Sequence, residues 1–403
     1  MTEASLIGQG ALGRGALAQY LAECRKLVLG ELRRIIPEAS PYGPILYHLM
    51  LEYPLRSAKA LRPAICIAAC RALGGRLEPV LPSAAVLELY HNAFLIHDDV
   101  EDLSEKRRDE PTLHATWGMP IAMNVGDAML ALALSPLLDN MRLLGMGKAL
   151  RILQAVALMS KESAEGQAME LMWVRENTFD QTDDDYERMV EKKTSHYSFV
   201  TPAVIGATIA EAEPPQIEAL SRFAMLLGVA FQIQDDILNI AADEKQYGKE
   251  IGGDLWEGKH TLLLLHALRG ATEGERAEAI AILQKPRPNQ GALRSLGEVS
   301  KLEALIAELS SQASLSRSAA STLTNAIALL RSTLPRGEKT EADVRFLMKL
   351  ITRYESVPYA RQIALRRATD AAQVLSECSS WLRPSVHRSF LEGLVDYVIQ
   401  REK

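Results

Sequence analysis

The sequence predicts an all-α fold, and three observations carry that prediction. Ala, Leu, Glu and Arg dominate, apolar residues recur at three and four positions along nearly the whole chain, and clusters of β-branched residues are scarce. The spacing predicts helices over 16–36, 42–52 and 60–74, the last closed by Gly74-Gly75. A further helix is expected over 81–102, with Pro111 in the break behind it, then helices over 119–144, 147–176 and 183–211. Pro214-Pro215 separates this run from a helix over 215–241, and "YGKEIGGDLWEGK" reads as a break before a helix over 258–269.

Composition bounds the possibilities. Of 403 residues, 48 % are hydrophobic and 24 % charged, ordinary globular usage that excludes a disordered or fibrous chain. A net charge of -6 argues against nucleic acid as a partner, because binding phosphate backbones needs a basic surface. Cys24, Cys66, Cys70 and Cys378 are too few for a disulfide scaffold and wrongly spaced for structural zinc, so they read as reduced core thiols of a cytoplasmic protein. No secretory signal is visible. The most apolar segment, "AMLALALSPLL", is about half the length that crosses a bilayer, so a soluble protein without a transmembrane segment is expected.

Residues 1–15 read as a flexible tail. Within them "GQGALG" fits a dinucleotide-binding pattern, which has meaning only after a strand, and seven residues are too few to supply one. Residues 16–403 read as one domain, with a Ser/Ala/Leu-rich helical insertion at about 287–340 that carries no clustered chemistry.

The chemistry concentrates in two stretches. "LIHDDVED" ends an apolar helix with Asp98, Asp99 and Asp102, whose three- and four-residue spacing puts like charges on one face at a cost of a few tenths of a kcal/mol per pair. Something cationic is needed there. "FQIQDDILNI" repeats the pattern with Asp235 and Asp236, followed by Asn239. Hard oxygens without His or Cys favour Mg²⁺ or Mn²⁺ over zinc, and Mg²⁺ takes one or two carboxylates and fills its other sites with water and phosphate. Two such helices imply a diphosphate held between metals. Arg107, Arg108, Lys192, Lys193, Lys249, Lys259, Lys59 and Arg62 supply positive charge for two anionic groups.

Together these blocks resemble the trans-isoprenyl diphosphate synthases, the polyprenyl synthetase family. "DDVED" with "RR" four residues on, "QDDILN" with "YGKEIGGDLWEGKHT", "SAKALRP", "ELYHN", "NVGDAML", "EGQAMEL" and "KKTSHYSFVTP" follow the family order over about 20–286 and 341–403. The resemblance implies a bundle of long antiparallel helices around a central apolar cavity, usually a homodimer. It implies about three Mg²⁺ per site, with Asp98, Asp102 and Asp235 as ligands and Asp99 and Asp236 in support. Arg107, Lys193, Lys249 and Lys259 would grip the allylic diphosphate, with Thr194 and Gln232 lining the same site. Lys59, Arg62, His91 and Arg108 would hold isopentenyl diphosphate. Catalysis would thus fall to Asp98, Asp99, Asp102, Asp235, Asp236, Lys193 and Lys259.

Ala93 and Phe94 lie about 6 to 7 Å below Asp98 at 1.5 Å per residue, where Phe94 could floor a tunnel and hold the product to geranylgeranyl diphosphate, or else farnesyl diphosphate. Packing alone explains Phe94 equally well. Four departures from the family pattern stand out: Ser57-Ala58 for Gly-Gly, Asp109 for Gly after the arginines, Asn239 for the terminal Asp of the second motif, a variation also seen in the family, and His260 for a basic residue. A terpene cyclase would not need Lys59, Arg62, His91 and Arg108, and a non-catalytic subunit would be expected to have lost aspartates; both remain alternatives. His97 and His114 match no role.

Overall fold

A computed structural model describes residues 12–37, 44–56, 58–241, 252–287, 302, 304–306, 309, 319, 321–327 and 337–400. The "GQGALG" pattern up to residue 11, Ser57, Lys249 and most of the 287–340 stretch lie outside the described residues. The chain divides into two compact units: residues 1–172, 180–251 and 357–403 form the first, and residues 173–179 and 252–356 the second.

In the first unit the helices are α1 (Arg14–Ile35), α2 (Pro44–Leu55), α3 (Leu61–Ala72), α4 (Leu81–Glu101), α5 (Leu113–Trp117), α6 (Met119–Leu132) and α7 (Leu134–Leu144). Then come α8 (Met146–Glu176), α9 (Asp183–Val190), a π-helical stretch (Glu191–Val200), α10 (Thr201–Ile209) and α11 (Pro214–Ala241). The expected helix over 119–144 is two helices, α6 and α7, and the expected helix over 183–211 is two α-helical segments joined by a π-helical one. The second helix runs three residues beyond its expected end, keeping Pro54 inside its last turn.

The core of this unit is built on α3, ten of whose twelve residues are buried, Cys66 and Cys70 among them. Against it pack α1, α4, α10 and α17 (Val386–Ile399), each offering a buried apolar face. The described cysteines are free and buried, and burial pushes the Cys70 thiol up to about 11, so they serve as packing. Two stretches, Met119–Leu144 and Pro214–Ala241, are long and apolar enough by length and composition to cross a membrane, longer than the sequence reading allowed; the second is 67 % buried, as a core helix is.

The second unit contains α12 (Gly253–Glu257), α13 (Leu262–Gly270), α14 (Glu273–Leu283) and α15 (Glu341–Arg353); α16 (Ser356–Glu377), all but its first residue, belongs to the first unit. The stretch read as a plain break therefore holds a short helix, bracketed by Gly252 and Gly258 in left-handed conformation. Thr272 with Glu275, and Thr340 with Asp343, form capping boxes that start α14 and α15.

Candidate active site

Helix α4 ends in like charge. Three carboxylates at a helix C-terminus meet the negative end of the helix dipole, so they need cations close by. The chain supplies one through a two-residue hairpin pairing Lys106 with Pro111 and Arg107 with Glu110, the only strands among the described residues. Arg108 and Asp109 form its turn with φ of 57° and 64°, as a primed hairpin turn demands. Asp tolerates that conformation, and Asp109 is exposed at the tip, where its charge stays in water.

The hairpin folds Arg107 back onto α4. Its Nε donates to Asp99 Oδ1 at 2.8 Å and its Nη2 reaches Asp98 Oδ2 at 3.3 Å. From α2, the Tyr53 hydroxyl donates to Asp99 Oδ2 at 2.6 Å. Asp99 is 1 % exposed, whereas Asp98 and Asp102 are half-buried. Burial works to lower the Arg107 pKa, but Asp99 and Asp98 overcome it and hold the guanidinium firmly charged. Arg56 pins the hairpin, donating to the carbonyls of Arg107 at 3.1 Å and Pro111 at 2.8 Å.

The second pair has the same construction. Asp236 is buried on α11 and accepts from the Tyr186 hydroxyl at 2.6 Å and from Gln232 Nε2 at 2.8 Å, while Asp235 is half-buried beside it. In each pair the second aspartate is sequestered by a tyrosine and one nitrogen-bearing side chain. The donors differ, because Arg107 brings charge and Gln232 does not. Burial, with the neighbouring Asp235 and Glu170, accordingly pushes the Asp236 carboxyl up to about 7 against the pull of its two hydrogen bonds.

The π-helical stretch joins the two pairs. Lys193 Nζ lies 3.7 Å from Asp98 Oδ1 and also pairs with Glu170 of α8. The next residue, Thr194, donates to Gln232 Oε1 at 2.9 Å, one turn from Asp236. Two glycines permit this: a Cβ on Gly166 would sit 2.3 Å from the Lys193 nitrogen, and one on Gly228 would sit 2.6 Å from Ser195 Oγ. Pro202 follows, and the Thr201 N–H bonds the His196 carbonyl five residues back. Lys192 turns away to Glu162 at 2.5 Å and Glu165 at 2.6 Å, so of the two adjacent lysines only Lys193 meets the aspartates.

A second cationic group gathers about His91, two helical turns before Asp98 on α4. Arg62 donates to the Tyr197 hydroxyl and to Ser198 Oγ, both at 2.8 Å. Arg108 donates to the Tyr53 carbonyl at 2.9 Å, and burial lowers its pKa to about 10. Burial, then the charges of Arg62, Arg108 and Arg107, push the His91 pKa well below its usual value, so the imidazole is neutral. Lys59 is exposed and donates to Tyr397 on α17 at 2.6 Å. Ala93 is buried, and half-buried Phe94 stands edge-on to Tyr90 and Tyr197. Lys259 belongs to the second unit, where it pairs with Glu257 at 2.8 Å. Burial lies behind the other departure, His260, which stacks on Phe179 with ring centres 4.1 Å apart.

Residues 44–299 match the polyprenyl synthetase family. The chain belongs to that family. A short chain isoprenyl diphosphate synthase of Methanocaldococcus jannaschii is 34 % identical over 260 residues, 64 % of this chain and 76 % of its own. An all-trans-nonaprenyl-diphosphate synthase of Rhodobacter capsulatus is 40 % identical over 225 residues, 55 % of this chain and 65 % of its own. Among solved structures, geranylgeranyl pyrophosphate synthetase from Pyrococcus horikoshii Ot3 superimposes with a TM-score of 0.73 at 28 % identity, covering 95 % of this chain and 98 % of that one. As a member of the polyprenyl synthetase family the protein is an all-α trans-prenyltransferase, an isoprenyl diphosphate synthase.

Several residues of this candidate site carried no sequence signal that singled them out. Tyr53 and Tyr186 look like core tyrosines, and their partners stand 46 and 50 residues away. Glu170 sits in "EGQAMEL" at four residues from Gly166, a spacing that places both against Lys193. Glu88, buried one turn before His91, faces Arg62 and Arg108; burial raises its pKa while those two charges oppose the rise.

Proposed function

We propose that this synthase condenses an allylic diphosphate with isopentenyl diphosphate in a Mg²⁺-dependent reaction, with about three ions per site and Mn²⁺ as a substitute. The observation carrying this reading is the bridge from Asp98 through Lys193 and Thr194 to Gln232 and Asp236, which ties both aspartate pairs to one turn of chain. Among the described residues no three His, Cys, Asp or Glu side chains gather to enclose a cation. Hard oxygens presented in ones and twos suit an ion that keeps water and phosphate in its shell, and Asp98, Asp102 and Asp235 are the carboxylates that would hold it. When bound, the ions supply neutralisation of the leaving diphosphate.

The protein's own part is positioning. Arg107 and Lys193 grip the allylic diphosphate, a role the family resemblance also gives Lys249 and Lys259; Asp99 and Asp236 hold their neighbours in register. The allylic C–O bond breaks toward a delocalised cation, the double bond of isopentenyl diphosphate forms the new C–C bond, and the proton it sheds passes to the departing diphosphate. Lys59, Arg62 and Arg108 hold isopentenyl diphosphate, with neutral His91 available as a hydrogen-bond donor or acceptor. No serine or cysteine nucleophile is involved.

Phe94 is the proposed floor, giving geranylgeranyl diphosphate first and farnesyl diphosphate second. Exposed Trp117, Met119, Ile121, Met123, Leu134 and Leu138 on α5 to α7 support a homodimer, since monomers rarely leave so much apolar surface in water. The location proposed is cytoplasmic. Incubation with Mg²⁺ and farnesyl diphosphate, with and without isopentenyl diphosphate, tests the reading: elongation only with both substrates is expected. Cyclised hydrocarbon from farnesyl diphosphate alone, or no turnover, overturns it.

A further inference from the structure

In the second unit a lysine is buried where no substrate role was expected. Lys339 is 1 % exposed, and its Nζ donates to the main-chain carbonyls of Leu255 at 2.7 Å and Trp256 at 2.8 Å. Those carbonyls end α12, and a helix leaves its last carbonyls without partners inside the helix. Gly258 follows with φ of 79°, and the Lys259 N–H returns to the Asp254 carbonyl at 2.8 Å. Glu257, on the same turn, holds Lys259 at 2.8 Å and Arg287 at 3.1 Å. Lys339 is anchored in turn, since its own N–H donates to the Pro286 carbonyl at 2.8 Å and Thr340 beside it caps α15.

We propose that Lys339 is a positioning residue for Lys259: by drawing in the Leu255 and Trp256 carbonyls, it fixes the α12–Gly258 turn that carries Lys259. The proposal rests on the role given to Lys259 above. Removing a charge from water is costly, and burial pulls the Lys339 pKa down to about 8; its two carbonyl acceptors offset part of that cost. An apolar chain of similar length would leave both carbonyls unpaired and let the turn relax.

The test compares Lys339→Met, Lys259→Ala and the double variant in steady-state kinetics with farnesyl diphosphate and isopentenyl diphosphate, with thermal unfolding in parallel. Lys339→Met is expected to raise the KM for farnesyl diphosphate about tenfold and leave that for isopentenyl diphosphate within about twofold. In the Lys259→Ala background it should add nothing, the mark of two residues acting through one contact. Lys339→Gln keeps one donor group and should fall between, which serves if the Met variant does not fold. A folded Lys339→Met with a wild-type KM for farnesyl diphosphate, or effects that multiply with Lys259→Ala, overturns the proposal. Failure of both Lys339 variants to fold does so too, since that marks a purely structural lysine. An unchanged KM in Lys259→Ala alone overturns the assignment of Lys259, and this inference falls with it.

Discussion

Replacing Tyr186 by Phe removes one hydroxyl and leaves Asp236 with Gln232 as its hydrogen-bond partner in the site. A hydrogen bond to a charged acceptor contributes roughly 1.5–3 kcal/mol. Taking about 2 kcal/mol as lost from the transition-state complex, kcat/KM should fall about 30-fold. Tyr53→Phe deletes the matching bond to Asp99, but there Arg107 remains as a charge-assisted donor, so the fall should stay under about tenfold. The pH dependence separates the two further. Because the Asp236 carboxyl is raised to about 7 in the folded protein, its contribution to stability is complete below the ordinary carboxylate range and is lost as pH rises through about 7. Losing the Tyr186 hydroxyl, which opposes that rise, extends the loss to higher pH. Thermal unfolding in EDTA from about pH 5 to pH 9, with kcat/KM in Mg²⁺, measures both effects. A Tyr186→Phe enzyme no weaker than Tyr53→Phe, with a stability profile superimposable on wild type, refutes the reasoning.

Asp98→Ala and Asp235→Ala should each lower turnover by orders of magnitude with an unchanged circular dichroism spectrum; near-normal rates would contradict their assignment as metal ligands. Phe94→Ala should lengthen the product, read by chromatography of the dephosphorylated alcohols, and should also cost stability through lost contact with Tyr90 and Tyr197. Product length unchanged removes Phe94 as the floor. Deleting residues 288–336 and joining the ends with a short Gly/Ser link should leave kcat within about threefold, because the Lys339 N–H already bonds the Pro286 carbonyl. A larger fall in kcat, with the native fold retained, would assign the segment a part in turnover.

What the sequence made legible followed from periodicity and from clustered charge. Asp98, Asp99, Asp235 and Asp236 stand out because carboxylates are rare on otherwise apolar helices, and the helices themselves repeat at 3.6 residues. The π-helical stretch was hidden because ten residues are too few to separate its period from that of an α-helix. The hairpin was hidden because Arg108 and Asp109 occupy a turn usually marked by Asn or Gly. Helix α12 was masked by the glycines that flank it, which read as loop signals yet act as its caps. Tyr53 and Tyr186 were invisible for a different reason: each is an ordinary buried tyrosine until the fold brings a carboxylate to its hydroxyl.

The sharing of Asp98 between Arg107 and Lys193 bears on the sequence of events in a catalytic cycle. On the metal-ligand role proposed for Asp98, a lone divalent ion would meet there a carboxylate already flanked by two cationic side chains, each held more closely by Asp99 or Glu170, and would gain less by shedding its hydration water. On the binding roles proposed for them, Arg107 and Lys193 would turn to a diphosphate and relieve that competition. Ion and diphosphate would then be best accommodated as a joint cargo.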